Sequence, residues 1–172
     1  MAPQTAALLT FTLYLLSQHP QVTKKLRSEI IAVVPEGPPT FDDVRNLKYR
    51  ESLLMLPNTV NTSHLPGTRA VRACLNETLR LFPPVAINAR ASVRQTLIPG
   101  APGSKPIYVP RGTTVSYSDM LMQRRKDLWG EDALEFDPER WIDPERVKIM
   151  TSDPFKFVPF NAGPRICLGQ VS

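Results

Sequence analysis

One cysteine in a glycine-flanked loop constrains this chain more than any other feature: Phe160-Asn161-Ala162-Gly163-Pro164-Arg165-Ile166-Cys167-Leu168-Gly169. Gly163 and Gly169 let the backbone take conformations that other residues resist. Pro164 removes one amide donor and stiffens the loop. Arg165 places a cation two residues before the thiol. Such a loop can present one thiolate on bare backbone, where it can ligate a metal. The competing fate of a lone cysteine is burial as a small hydrophobe.

Composition narrows the classes. The chain has 172 residues, which suits one domain, and at 42% hydrophobic it can bury a core. Eighteen prolines against eight glycines, scattered between apolar runs, imply many short elements and rigid turns. The net charge is +5, yet the basic residues form no run beyond Arg124-Arg125-Lys126, so a nucleic-acid partner is not expected. Cys74 and Cys167 are far apart and outside any Cys-x-x-Cys pair, which argues against zinc, a redox dithiol or a secreted disulfide scaffold. A cysteine nucleophile would need His19 or His64 as base, and neither sits in a recognisable motif. Ala6 to Leu16 is apolar, but no Lys or Arg precedes it and no Ala-x-Ala follows. It is too short to span a bilayer. It reads as a buried helix, not as a targeting segment or membrane anchor.

Along the chain, Thr5 to Ser17 reads as a helix apolar on nearly every side, ended by His19-Pro20. A chain of this size looks too small to wrap it. A second helix follows, with Val22, Leu26, Ile30 and Val33 as its stripe. Thr40-Phe41-Asp42-Asp43 resembles a capping box. Ser52 to Arg69 carries Pro57, Asn58, Pro66 and Gly67 without a period, and reads as a loop. Val71 to Phe82 is helical, with Val71, Cys74, Leu75, Leu79 and Phe82 on one stripe, stopped by Pro83-Pro84. Ile87 to Ser118 alternates short β-like runs with turns, notably Ile107-Tyr108-Val109 and Thr113 to Tyr117. Ser118 to Arg125 forms a further helix, and Asp127 to Ile149 a charged meander.

Glu77 and Arg80 stand at i and i+3 beside the apolar stripe, where the pair is partly buried. Phe136-Asp137-Pro138-Glu139-Arg140-Trp141 supplies a second arginine in an apolar setting. A fork-shaped guanidinium suits a bidentate carboxylate contact. Glu77, Arg80 and Arg140 can therefore form one network that fixes the meander beneath the cysteine loop.

Glu-x-x-Arg on a helix, then Pro-Glu-Arg-Trp, then Phe-x-x-Gly-x-Arg-x-Cys-x-Gly resembles the cytochrome P450 family, the haem-thiolate monooxygenases. The resemblance implies a mainly α fold with a small β component: a partial, C-terminal piece of the cytochrome P450 fold over 1–172, interrupted by a non-family insertion at 52–69. It implies haem b (iron protoporphyrin IX), with Cys167 as the axial iron ligand. Arg90 and Arg165 would meet the propionates, and Phe160, Gly163 and Gly169 would line the cofactor. Glu77, Arg80 and Arg140 would be a structural triad. The implied activity is insertion of one oxygen atom from O2 into a hydrophobic small molecule. Cys74-Leu75-Asn76-Glu77-Thr78-Leu79-Arg80-Leu81-Phe82-Pro83-Pro84 and Arg124 to Gly130 resemble fungal members that oxidise fatty acids and alkanes. The implied electron donor is NADPH-cytochrome P450 reductase, facing a basic surface of Lys156, Arg165, Arg124 and Arg125. The implied location of full-length relatives is the endoplasmic reticulum membrane.

The sequence departs from the family at one end. Pro3 and Gln4 fall where the family's oxygen-activating acid and threonine belong, and only Thr5 matches the following hydroxyl. No catalytic proton-delivery pair is therefore expected within these residues. The chain stops at Gln170-Val171-Ser172, where the family continues into a helix. The competing expectation is thus a truncated, non-catalytic haem-binding fragment, or a misassembled gene product.

Overall fold

Helix α1 (Pro3–Gln18) meets α2 (Pro20–Val33) after the single residue His19. Pro20 lacks an N–H and has φ preset for a first helical turn, so the ladder of α1 stops and a new helix starts in another direction. The His19 carbonyl accepts from Val22 (3.0 Å) and Thr23 (3.1 Å), which closes the first turn of α2. The computed structural model describes residues 3–33, 40, 66–100 and 103–168. Most of the predicted capping box at 40–43 and most of the 52–69 loop lie outside the described residues.

Helix α3 (Pro66–Leu81) is the centre of the fold. It packs against α1, α2 and a 3-10 turn at Pro138–Trp141. It begins five residues before the expected Val71, inside the predicted loop. Pro66 read as a loop residue, but proline at a first helical position costs nothing, because that N–H has no partner in any helix. The Pro83-Pro84 stop holds, with α3 ending at Leu81. Leu15, Cys74, Leu81 and Phe136 form a buried cluster, flanked by Leu16, Val22, Leu26 and Phe82. Phe11 stacks on Phe82 with ring centroids 4.6 Å apart.

Burial falls short in both N-terminal helices, as a chain too small to wrap the first of them implies for α1. In α1 only Thr12 and Leu15 are buried, while Leu13 is 69% exposed. Helices α2 and α3 cover one side of α1, and no described residue covers the rest. Ile30 of α2 is likewise exposed. The two hydroxyls in the α1–α3 seam are satisfied locally. Thr12 Oγ1 donates to the Leu8 carbonyl and lies 3.2 Å from Thr78 Oγ1, which donates to the Cys74 carbonyl.

The β component is two antiparallel ribbons, one nested in the other. β1 (Asn88–Ala91) pairs with β4 (Thr114–Tyr117), with Asn88 opposite Tyr117 and Arg90 opposite Val115. Between them, β2 (Thr96–Ile98) pairs with β3 (Ile107–Val109). The helix expected over 118–125 splits into α4 (Asp119–Met122) and α5 (Lys126–Trp129). Ser118 caps α4 by accepting from the Leu121 amide, and Gln123 already ends it. The meander holds the 3-10 turn and α6 (Pro144–Thr151), each opened by an aspartate cap, Asp137 and Asp143. The chain is mainly helical with a small β component, as its sequence implies. None of its helices is long and apolar enough to cross a membrane, among the described residues.

Candidate functional site

Five donors converge on the Glu77 carboxylate. Oε1 accepts from Arg80 Nη2 (2.8 Å), the Asp137 amide (3.1 Å) and Arg140 Nε (3.4 Å); Oε2 accepts from Arg80 Nε and Trp141 Nε1, both at 2.8 Å. Glu77 and Arg80 are wholly buried, not partly so as their spacing suggested. Arg80 lies 5.1 Å over the Trp129 ring. It also donates to the carbonyls of Gln123 (2.8 Å), Ala133 (2.6 Å) and Glu135 (3.0 Å). Arg140 donates to the Trp129 and Asp132 carbonyls. A charge buried without a partner costs several kcal/mol, so these residues can be buried only together. The network ties α3 to the meander. Trp141 then packs on Phe157, centroids 4.6 Å apart, at the entry to the cysteine loop.

The loop presents its thiol to solvent. Cys167 is a free, exposed cysteine, and its amide donates to the Phe160 carbonyl at 2.8 Å. Gly163 has φ +69°, with open space where a Cβ would stand. Backbone conformation, not crowding, is what demands glycine there. Asn161 has φ 62°, a left-handed conformation that asparagine tolerates. Tyr117 Oη donates to Asn161 Oδ1 (2.7 Å), and Asn161 Nδ2 donates to Asn88 Oδ1 (3.3 Å), pinning the loop to the β1–β4 ribbon. The other cysteine, Cys74, is buried in the helical core, and burial pushes its thiol up to about 11.

The residues present fit a haem. The donor is one soft, unpaired thiol. Half-buried Phe160 and exposed Ile166 and Leu168 offer apolar surface in the same loop, and Arg165 is exposed beside them. No group of three or more His, Cys, Asp or Glu that could hold a metal ion gathers among the described residues. Arg90 is exposed on β1, 5.9 Å from the Tyr117 ring, and donates to the Ala89 carbonyl. Gly169 lies outside the described residues, as does His64. His19 is engaged with the Leu15 carbonyl and tilted against Phe136.

The expected basic surface is partly spent on the fold. Arg124 binds the Leu81 carbonyl and sits 4.9 Å over the Phe82 ring. Arg125 pairs with Asp127. Lys156 donates to the Ile149 carbonyl at 3.5 Å, and Arg165 is exposed on the cysteine loop. Residues that the sequence reading missed are Asn88, Tyr117 and Asp132. Asp132 accepts from Arg140 (3.3 Å) and Arg146 (2.7 Å). Burial pushes its carboxyl up, but the Arg140 hydrogen bond and the Arg140 and Arg146 charges outweigh that and hold it below the usual range. A carboxyl depressed in the folded state adds stability above its unfolded value, and that stability is lost as pH falls through the folded one. Asp132 is 45% exposed, which screens the effect. Asp132→Asn should lower stability by about 0.5 kcal/mol at neutral pH. Urea unfolding at pH 7 and pH 3 checks this: the gap between variant and parent should close on acidification, and an equal gap at both would refute the assignment.

The sequence model of the family described as Cytochrome P450 matches residues 4–54 and 59–171. A cytochrome P450 monooxygenase of Aspergillus japonicus, himC, is 41% identical over 169 residues, which is 96% of this chain and 26% of the relative. Cytochrome P450 52A3-A of Candida maltosa is 38% identical over 169 residues, 96% of this chain and 29% of the relative. Cytochrome P450 52-N1 of Starmerella bombicola is 34% identical over 172 residues, with the same shares. The chain thus spans 26–30% of the length of the curated relatives it matches. A family match over nearly every residue joins the buried Glu77–Arg80–Arg140 cluster and the exposed Cys167 loop in one conclusion: this chain belongs to the cytochrome P450 family.

Proposed function

We propose that this chain is the haem-binding, C-terminal part of a haem-thiolate monooxygenase that inserts one oxygen atom from O2 into a hydrophobic small molecule, of the fatty-acid or alkane class. The observation that carries the reading is Cys167: an exposed free thiol on a loop whose amide is held by the Phe160 carbonyl. Haem b, when bound, supplies the activation of dioxygen. Cys167 would hold the iron as a thiolate, which would push electron density toward it. Arg165 and Arg90 supply cations for the two propionates. Phe160 would pack beside the sulfur, Gly163 leaves open space where a Cβ would stand, and Gly169 is proposed to line the cofactor. Glu77, Arg80 and Arg140 act on no substrate; they hold the meander on which the loop stands.

The substrate class rests on the likeness of Cys74–Pro84 and Arg124–Gly130 to fungal enzymes that oxidise fatty acids and alkanes. NADPH-cytochrome P450 reductase is the proposed electron donor of the whole protein, and the endoplasmic reticulum membrane its proposed location. The test is a spectrum of the purified chain, loaded with haem, reduced and exposed to carbon monoxide. A Soret band shifted far to the red is the expected result. A haem that binds but gives only an unshifted band would overturn thiolate ligation.

A further inference from the structure

We infer that Asn88, Asn161 and Tyr117, anchored by Asp119, are positioning residues for the Cys167 thiolate. The inference rests on the haem-thiolate reading and names what holds the ligand loop.

The relay has a fixed polarity. Asp119 is 2% exposed, and its Oδ2 accepts from Asn88 Nδ2 at 2.8 Å. Burial pushes the Asp119 carboxyl up, and this hydrogen bond works against that. The Asn88 amide turns its NH2 toward Asp119 and its oxygen away. That oxygen receives Asn161 Nδ2, which leaves the Asn161 oxygen to receive the Tyr117 hydroxyl. In this orientation the Asn88 and Asn161 amides each use both their NH2 and their oxygen. Asp119 is held in place because α4 is docked beside Asn88: Ser118 Oγ donates to the Ala86 carbonyl at 2.9 Å.

The relay ends on the backbone that holds the cysteine. Asn161 is the one described non-glycine residue with positive φ, so its peptide has few alternative ways to sit. The carbonyl of that same Phe160–Asn161 peptide receives the Cys167 amide. Freeing the Asn161 side chain lets this peptide turn, and the Cys167 backbone loses its fixed acceptor. Hydrogen bonds outside a ligand set its orientation and donor strength.

The test combines amide hydrogen exchange at Cys167 in the haem-free chain with the carbon monoxide spectrum of the haem-loaded chain. Tyr117→Phe removes one hydroxyl and keeps the ring under Arg90. It should speed Cys167 exchange about fivefold, the factor carried by one lost hydrogen bond. Asn88→Ala breaks two bonds and should speed it about twentyfold or more. Asp119→Asn keeps an acceptor oxygen and should stay within about twofold of the parent, whereas Asp119→Leu should resemble Asn88→Ala. In the haem-loaded chain the same order should appear as loss of the red-shifted fraction. Tyr117→Phe is the deciding variant if Asn88→Ala does not fold. Unchanged exchange in Tyr117→Phe, or faster exchange with an unchanged band, overturns the inference. A parent chain with no red-shifted band overturns the haem-thiolate reading instead, and the exchange data still judge the relay.

Discussion

Replacing Glu77 by alanine is expected to cost about 3–5 kcal/mol, a large share of the stability of a single domain. The change leaves the Arg80 guanidinium buried without a counter-charge, and leaves Arg140 with only the half-exposed Asp132 carboxylate. It also strips the acceptor from the Asp137 amide and the Trp141 indole. Glu77→Gln should rescue little. A glutamine keeps one oxygen, but its NH2 would face Arg80 or Trp141, which both donate. Arg80→Lys should fail for a related reason: one ammonium cannot reach Glu77 and the carbonyls of Gln123, Ala133 and Glu135 together. Far-UV circular dichroism in a urea series reads all three. A Glu77→Ala midpoint equal to the parent's would mean that the meander holds itself and that the network is incidental.

What the sequence could show of this network was its alphabet, not its burial. Glu77 and Arg80 at i and i+3, and Arg140 in Pro-Glu-Arg-Trp, are legible because helical spacing and short motifs are local. That five donors meet on one carboxylate depends on a 3-10 turn arriving from some 60 residues away, as the Asp137 amide and Trp141 do. The same limit hid the Asn88–Asn161–Tyr117 relay, whose members sit in strands and a loop with no shared period. Pro83-Pro84 marked the end of α3 because proline excludes helix there. Pro66 did not mark its start, because proline permits a helix start as readily as a loop. The exposure of Ile30 was illegible for another reason: an apolar stripe shows which face seeks cover, not whether this chain covers it.

The two cysteines are expected to answer a thiol reagent in opposite ways. The thiolate is the reactive form. Burial, reinforced by the nearby carboxylates of Glu29, Glu139 and Glu77, raises the Cys74 thiol to about 11. At pH 8 about one Cys74 thiol in a thousand would be ionised, and the core around it admits no reagent. Cys167 is exposed. The folded chain should therefore label once, and twice after denaturant is added. Cys167→Ser should abolish labelling of the folded chain and remove the red-shifted band of the haem-loaded chain entirely, because a hydroxyl is a far poorer iron ligand than a thiolate. Cys74→Ser should leave both signals intact. It puts a hydroxyl among Leu15, Leu81 and Phe136 and should cost about 1–3 kcal/mol of stability. Two labelled thiols in a chain with full circular dichroism would mean that the α1–α3 core opens without unfolding. A band that survives Cys167→Ser would take the iron away from this loop, and the positioning role of Asn161 would go with it.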